Sequence, residues 1–192
     1  MASSSFSFPS GLYGDQVRAA RAGGVVTVTL HNASRMNTMN APVLAGVAQA
    51  LQQCADDETV AVVVLTGSGD RAFCAGGDLQ SGGASAGMRG VSGPDRPPPT
   101  SGGAVQTLRR AMISSQLLRG SHFVSIAAVN GACAGAGLAW AAACDLRVAS
   151  DSALFRAGFL TAGLSGDFGG TCSGIVMLAM LRIVIITCSM IN

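Results

Sequence analysis

The sequence predicts an α/β protein built on a parallel sheet, and three features of its pattern carry that prediction. Short apolar or β-branched runs at 25–30, 60–66, 124–129 and 145–149 have the length and composition of strands. Segments with apolar residues at helical spacing, at 40–54, 104–118 and 134–143, stand between them. Gly, Asn and Asp gather where one kind of segment gives way to the other. Strand, helix and strand therefore alternate in the order that parallel pairing requires.

Residues 1–22 read as a flexible N-terminal arm, and Val25-Val26-Thr27-Val28-Thr29-Leu30 opens the fold as its first strand. Asn40 can cap a helix with Pro42 in its first turn, and Val43, Leu44, Val47, Ala48 and Leu51 supply the buried stripe; the helix should end near Cys54. The run Val60-Ala61-Val62-Val63-Val64-Leu65-Thr66 is apolar on both faces, as expected of a central parallel strand covered by helices on each side. Residues 81–103 turn to Gly, Ser and Pro without apolar periodicity and read as a disordered surface loop. A helix follows over 104–118, with Val105, Leu108, Ala111, Met112, Ser115 and Leu118 on one face. The strand at 124–129 then runs into a glycine-rich segment, a helix over 134–143 and a last strand over 145–149.

Length and composition narrow the function classes. A chain of 192 residues, 49% hydrophobic, can bury one sizeable core; with 5% aromatics and 26 glycines, that core is built from Ala, Val, Leu and Ile packed closely. The net charge of +2 comes from scattered arginines and forms no basic stripe, which argues against nucleic acid as a partner. The chain contains no lysine, which excludes a Schiff base and a phosphate loop ending in Gly-Lys. Cys54, Cys74, Cys133, Cys144, Cys172 and Cys188 form no C-x-x-C pair, and only His31 and His122 could join them, so no metal site is expected; they read as buried reduced thiols. The N-terminus shows no signal-peptide pattern and the C-terminus no peroxisomal address, which leaves the cytoplasm or an organelle matrix as expected compartments. The apolar tail at 174–191 has the length of a membrane span, but Arg182 midway and the lack of flanking charges argue against one.

Chemistry concentrates in two backbone-rich segments, Cys74-Ala75-Gly76-Gly77-Asp78 and Asn130-Gly131-Ala132-Cys133-Ala134-Gly135-Ala136-Gly137, each placed after an apolar strand. Small residues let a substrate carbonyl approach main-chain N–H groups, so the pair reads as two halves of an oxyanion hole. A dinucleotide-binding turn fits the second segment poorly, because Trp140 stands where the fingerprint needs its third glycine. A nucleophile elbow fails at Gly163-Leu164-Ser165-Gly166-Asp167, which lacks the closing glycine.

In order along the chain, these segments resemble the enoyl-CoA hydratase/isomerase (crotonase) superfamily. The matching residues are Leu30-His31-Asn32-Ala33-Ser34-Arg35-Met36-Asn37, Val63-Val64-Leu65-Thr66-Gly67, Arg71-Ala72-Phe73-Cys74-Ala75-Gly76-Gly77-Asp78-Leu79, Ala127-Ala128-Val129-Asn130-Gly131, Ala143-Cys144-Asp145-Leu146-Arg147-Val148-Ala149 and Gly163-Leu164 with Gly169-Gly170-Thr171. The resemblance implies a ββα spiral over a core at 23–171 that takes an acyl-CoA thioester and needs no separate cofactor, coenzyme A being part of the substrate. It assigns the oxyanion-hole N–H groups to Ala75 and Ala136, and substrate contacts to Gly76, Gly77, Asp78, Gly135 and, near the CoA phosphates, Arg35.

Hydratases of the family carry two glutamates at the positions of Ala139 and Phe159, neither of which can move a proton here. Asp167 matches the catalytic aspartate of isomerase-like members, so the resemblance implies an enoyl-CoA isomerase in preference to a hydratase. Asp78 and Asp145 read as structural, the first capping a following helix and the second ending one. After Gly169-Gly170-Thr171 the family continues into helices that complete the acyl pocket and build a trimer. Residues 172–192 do not resemble that continuation and read as a divergent tail. The sequence thus predicts a spiral incomplete at its C-terminus, and a homo-oligomer only if those helices are dispensable. An inactive chain that binds acyl-CoA or a full-length relative is the second reading.

Overall fold

In the computed structural model, which describes residues 11–78, 101–158 and 183–185, the chain opens on an antiparallel meander. Strands β1 (Gly11–Leu12), β2 (Val17–Ala22) and β3 (Val25–Leu30) pair in sequence, with β2 and β3 joined by the Gly23-Gly24 turn. Val17 and Ala19 point into the core. The arm expected at 1–22 is therefore corrected from residue 11 onward. The sequence of β2 conceals it, because alanine and arginine have weak strand preference and pairing to β3 decides the outcome.

The chain then runs through α1 (Ala41–Asp56), β4 (Val62–Gly67), β5 (Ala72–Cys74), α2 (Ser101–Gly120), β6 (Val124–Val129), β7 (Ala132–Ala134), α3 (Ala136–Ala143), β8 (Leu146–Ala149), β9 (Leu154–Arg156) and β10 (Ile183–Ile185). The main sheet has the order β1-β2-β3-β4-β6-β8-β10, parallel from β3 onward, and β5-β7-β9 form a second parallel sheet. Main-sheet strand, second-sheet strand and helix follow one another twice, in β4-β5-α2 and β6-β7-α3, which is the repeat of a ββα spiral. The second sheet has strands of three residues, too short to leave a periodic signal in the sequence. It displaces the predicted start of the third helix, since Ala134 closes β7 and α3 begins at Ala136.

Helices cover one face of the main sheet. Val26, Val28, Leu30, Val63, Leu65, Ala127 and Val129 are buried, whereas Val25 and Val124 on the opposite face are exposed and Val62 and Val64 only half-buried. The expectation that 60–66 would be covered on both faces is corrected accordingly. Successive parallel strands are added in one direction, and right-handed crossovers then put every connecting helix on the same side. α1 touches α2, and α2 touches α3.

The first helix forms as its sequence predicts: Asn40 Oδ1 accepts the Val43 N–H (3.0 Å), and Val43, Leu44, Val47 and Leu51 are buried. α2 starts at Ser101, inside the stretch read as loop; Ser114, Ser115 and Leu118 are its buried residues among those whose side chains are described. The fully buried Trp140 donates its indole N–H to Ser114 Oγ (2.8 Å) and so locks α3 to α2. Buried Arg147 donates from Nη1 to Cys144 O (2.7 Å) and Ala141 O (3.2 Å), satisfying carbonyls that the end of α3 leaves open. Asp145 proves structural: its carboxylate accepts the Ser125 N–H (2.8 Å), and its own N–H donates to Ser125 Oγ (2.9 Å), tying the turn after α3 to β6. Residues 81–100 of the predicted loop and all of the predicted tail except 183–185 lie outside the described residues. Among those described, no helix is long and apolar enough to cross a membrane.

Candidate active site

The two glycine segments meet where β5 and β7 end. Two buried asparagines set the turns that bring them there. Asn37 donates from Nδ2 to Ala72 O (2.7 Å) and Ser68 O (3.0 Å) while its Oδ1 accepts the Asn32 N–H (3.0 Å). Asn130 accepts the Gly67 N–H at Oδ1 (3.1 Å) and donates to Gly69 O (2.6 Å). The backbone polar groups that the turn at 67–72 would otherwise bury unpaired are thereby met. Gly137 fits α3 against β5 at close range: a Cβ there would lie 2.3 Å from Cys74 O. Gly76 adopts φ +97°, and a Cβ on it would stand 3.0 Å from Ala134 O and 3.6 Å from Ala136 N. Only glycine accommodates that backbone and that contact.

The N–H groups of the first segment are engaged differently from the expectation that put the donor at Ala75. Ala75 N–H donates to Met36 O (3.1 Å), so it is spent inside the fold and cannot meet a ligand. The Gly76 N–H faces the Cys74 sulfur. Asp78 N–H donates to Met39 O (3.0 Å), and Met39 N–H to Gly76 O (2.8 Å), in a parallel bridge that pairs Met39 with Gly77. Between those two bonds the Gly77 N–H is directed to the side away from Met39, because successive amides alternate along an extended chain. Gly77 is half-buried, and its N–H has no acceptor among the described residues. Gly77, grouped from sequence only with the substrate contacts, thus takes the geometry expected of Ala75.

In the second segment the N–H groups are distributed differently. Gly135, at φ 52° and ψ −125°, turns the chain into α3, and its own N–H donates to Arg156 O (3.0 Å). The first bond within α3 runs from Ala139 N–H to Gly135 O (3.2 Å). Ala136, one residue into the helix, therefore has an N–H without an intrahelical acceptor, at the positive end of the helix dipole. It carries no acceptor among the described residues, and its side chain is buried.

The remaining predicted residues fall in three places. Arg35 and Asp78 are together: Arg35 Nη2 lies 2.7 Å from Asp78 Oδ1, with the arginine side chain 43% exposed and the aspartate 3%. Ala139 is buried in α3 and carries no titratable group. Asp167 and Phe159 lie outside the described residues, as does the helix that Asp78 was expected to cap. Cys54, Cys74, Cys133 and Cys144 are free and buried. Burial pushes the Cys74 thiol up to about 12, so it is protonated at neutral pH and is no nucleophile. Among the described residues no cluster of His, Cys, Asp or Glu could hold a metal ion.

Comparison with known proteins gives the same family from several sides. A family model described as enoyl-CoA hydratase/isomerase matches residues 20–180. A probable enoyl-CoA hydratase of Mycobacterium tuberculosis is 38% identical over 143 residues, covering 74% of this chain and 47% of that protein. The 1,2-epoxyphenylacetyl-CoA isomerase of Escherichia coli is 37% identical over 148 residues, covering 77% of this chain and 52% of the relative. Among solved structures, a putative enoyl-CoA hydratase from Thermobifida fusca in complex with CoA superposes with TM-score 0.70 at 28% identity, over 87% of this chain and 62% of the other. Pseudomonas aeruginosa DspI gives TM-score 0.68 at 28% identity, over 88% and 57%. The chain thus spans about half the length of the relatives it matches.

Proposed function

The chain belongs to the enoyl-CoA hydratase/isomerase family, and on that premise we propose that it binds an acyl-CoA thioester and holds the thioester oxygen between the N–H groups of Gly77 and Ala136. The observation that carries this is a pair of N–H groups that have no acceptor among the described residues, on two glycine segments that the pairing of β5 with β7 sets side by side. Two such donors stabilise negative charge that develops on the oxygen, each by roughly 3–4 kcal/mol in the transition state. The N-terminus of α3 adds its dipole in the same sense.

The reaction proposed is a double-bond shift. A carboxylate removes a proton from C2 of a 3-enoyl-CoA, and the electron pair moves into a dienolate whose oxygen the two N–H groups hold. The same carboxylate returns the proton at C4, giving the 2-enoyl isomer, so atoms and charge balance without a cofactor. Ala139 favours this over hydration, because the helix turn following the donors presents a methyl where water activation needs a carboxylate. Asp167 is the proposed base. Its neighbours in sequence, Leu164 and Phe168, are apolar and would raise its pKa toward neutrality. Incubation with a 3-enoyl-CoA and, separately, a 2-enoyl-CoA in deuterated water tests the proposal. Isomerisation with deuterium entering at C4 of the 2-enoyl product, and at C2 of recovered 3-enoyl substrate, is expected; hydration without exchange, or no reaction despite a folded protein, would overturn it.

A further inference from the structure

We propose that Asn37 and Asn130 act as one positioning unit that fixes the separation of the Gly77 and Ala136 N–H groups, by delivering both side-chain amides to a single acceptor, Ala72 O. This rests on the oxyanion reading above and deepens it. Asn37 Nδ2 lies 2.7 Å from that oxygen and Asn130 Nδ2 lies 3.3 Å from it. Each amide also donates to a second carbonyl of the turn between β4 and β5, Asn37 to Ser68 O (3.0 Å) and Asn130 to Gly69 O (2.6 Å). The acceptor ends are engaged too: Asn37 Oδ1 takes the Asn32 N–H (3.0 Å) and the Ser68 hydroxyl (3.2 Å), and Asn130 Oδ1 takes the Gly67 N–H (3.1 Å). Both side chains are buried, and a buried polar network with every member engaged specifies one arrangement.

Each asparagine belongs to the frame of one donor. Met36 O accepts the Ala75 N–H, Met39 N–H donates to Gly76 O, and Met39 O accepts the Asp78 N–H, so residues 36–39 and 75–78 are joined by backbone bonds and move together. The Asn37 side chain ties that joined pair to the turn before β5. Asn130 opens the second segment, which runs through β7 to Ala136, and the Ala132 N–H donates to Arg71 O (3.0 Å), beside the shared acceptor. Residues 71 and 72 are therefore the common origin from which both donors are placed. Removing either carboxamide frees one donor's frame relative to the other, and a hole made by two N–H groups is already lost when one is displaced. The backbone of Asn37 sets a separate demand, since it adopts φ 52° directly after Met36 at φ 56°, a conformation open to asparagine and glycine more than to other residues. Glycine would meet that demand without supplying a carboxamide, which lets the two roles be told apart.

The test uses the full chain and acetoacetyl-CoA, whose enolate absorbs in the near ultraviolet and reports how strongly the bound carbonyl is polarised. Asn37→Gly and Asn130→Ala should each lower the enolate-to-ketone ratio of the bound ligand about tenfold, short of the ~100-fold that a 1 Å misplacement produces, with affinity for CoA itself unchanged. The double variant should lose about tenfold as well, because residues that act as a unit do not add. A loss of ~100-fold in the double variant, the product of the two, would make them independent struts and overturn the inference. Asn37→Asp keeps the shape and the acceptor but not the donor, and should lose at least as much as Asn37→Gly; a wild-type ratio there would overturn the role given to Nδ2. Wild-type protein gives a reading that no unfolded variant can spoil: by NMR, the side-chain NH2 groups of Asn37 and Asn130 should exchange with solvent far more slowly than that of the exposed Gln49, and equal rates would overturn the inference. Single variants that enolise as wild type does would overturn this inference alone. Wild-type protein that binds acetoacetyl-CoA without enolising it would overturn the oxyanion reading, and this inference with it.

Discussion

Replacing Gly137 by alanine tests whether the close fit of α3 on β5 sets the donor geometry. The added Cβ would lie 2.3 Å from Cys74 O, 2.8 Å from Cys74 Cβ and 3.0 Å from Cys74 C. Backbone on both sides leaves no flexible side chain to give way. Reaching ordinary contact at about 3.4 Å requires α3 to retreat by about 1 Å, since a core packed to crystal density has no spare room. Overpacking of this kind destabilises by ~1–3 kcal/mol. At ~2 kcal/mol, the midpoint of thermal unfolding falls by ~4–8 °C for a chain of this size. Ala136 precedes Gly137 and moves with it, so proton exchange at C2 should fall by up to ~100-fold, the loss that a 1 Å misplacement produces. Calorimetry and deuterium incorporation read the two effects separately. Gly120→Ala is the control, because a Cβ there meets nothing within 4 Å. Gly137→Ala with the stability and exchange rate of Gly120→Ala would refute the reasoning.

Three further outcomes follow from the same structure. Asp167→Asn should abolish exchange at C2 while acyl-CoA still stabilises the fold in a thermal-shift assay; retained exchange would remove Asp167 as the base. Cys54, Cys74 and Cys144 are each pushed up to about 12 by burial. Iodoacetamide at neutral pH should therefore leave these cysteines unmodified in the folded protein and modify them after denaturation, as read by peptide mass spectrometry. Asp57 is held below its ordinary value of 3.8, first by the Thr59 hydroxyl and N–H and then by Arg21. Its stabilisation is therefore fully present above that ordinary value and disappears as pH falls through the lower folded value. The stability difference between wild type and Asp57→Asn should shrink across that acidic window, and a difference independent of pH there would count against the assignment.

What could be read from the sequence, and what could not, divides along the length of the interactions. The Asn40 cap, the stripe of α1 and the runs of β3, β4 and β6 are local patterns, each resolved within a few residues, and each forms where its pattern stands. The second sheet is set by contact between strands of three residues distant in sequence, such as Cys74 beside Cys133 and Ala132 beside Leu154, and three residues carry no period. β2 is hidden for a related reason, since Arg18, Ala20 and Arg21 belong to a strand only because β3 lies beside them.

The donor assignment shows the same limit at finer scale. Ala75, Gly76 and Gly77 are alike as small residues beside a strand, so composition marks the segment without choosing among its N–H groups. The choice is made by Met36 and Met39, almost forty residues earlier, whose carbonyls take the amides of Ala75 and Asp78 and leave Gly77 between them. A segment of small residues therefore identifies where an anion can be held. Which amide holds it depends on the neighbouring strand that satisfies the others, and for this chain that neighbour is residues 35–39.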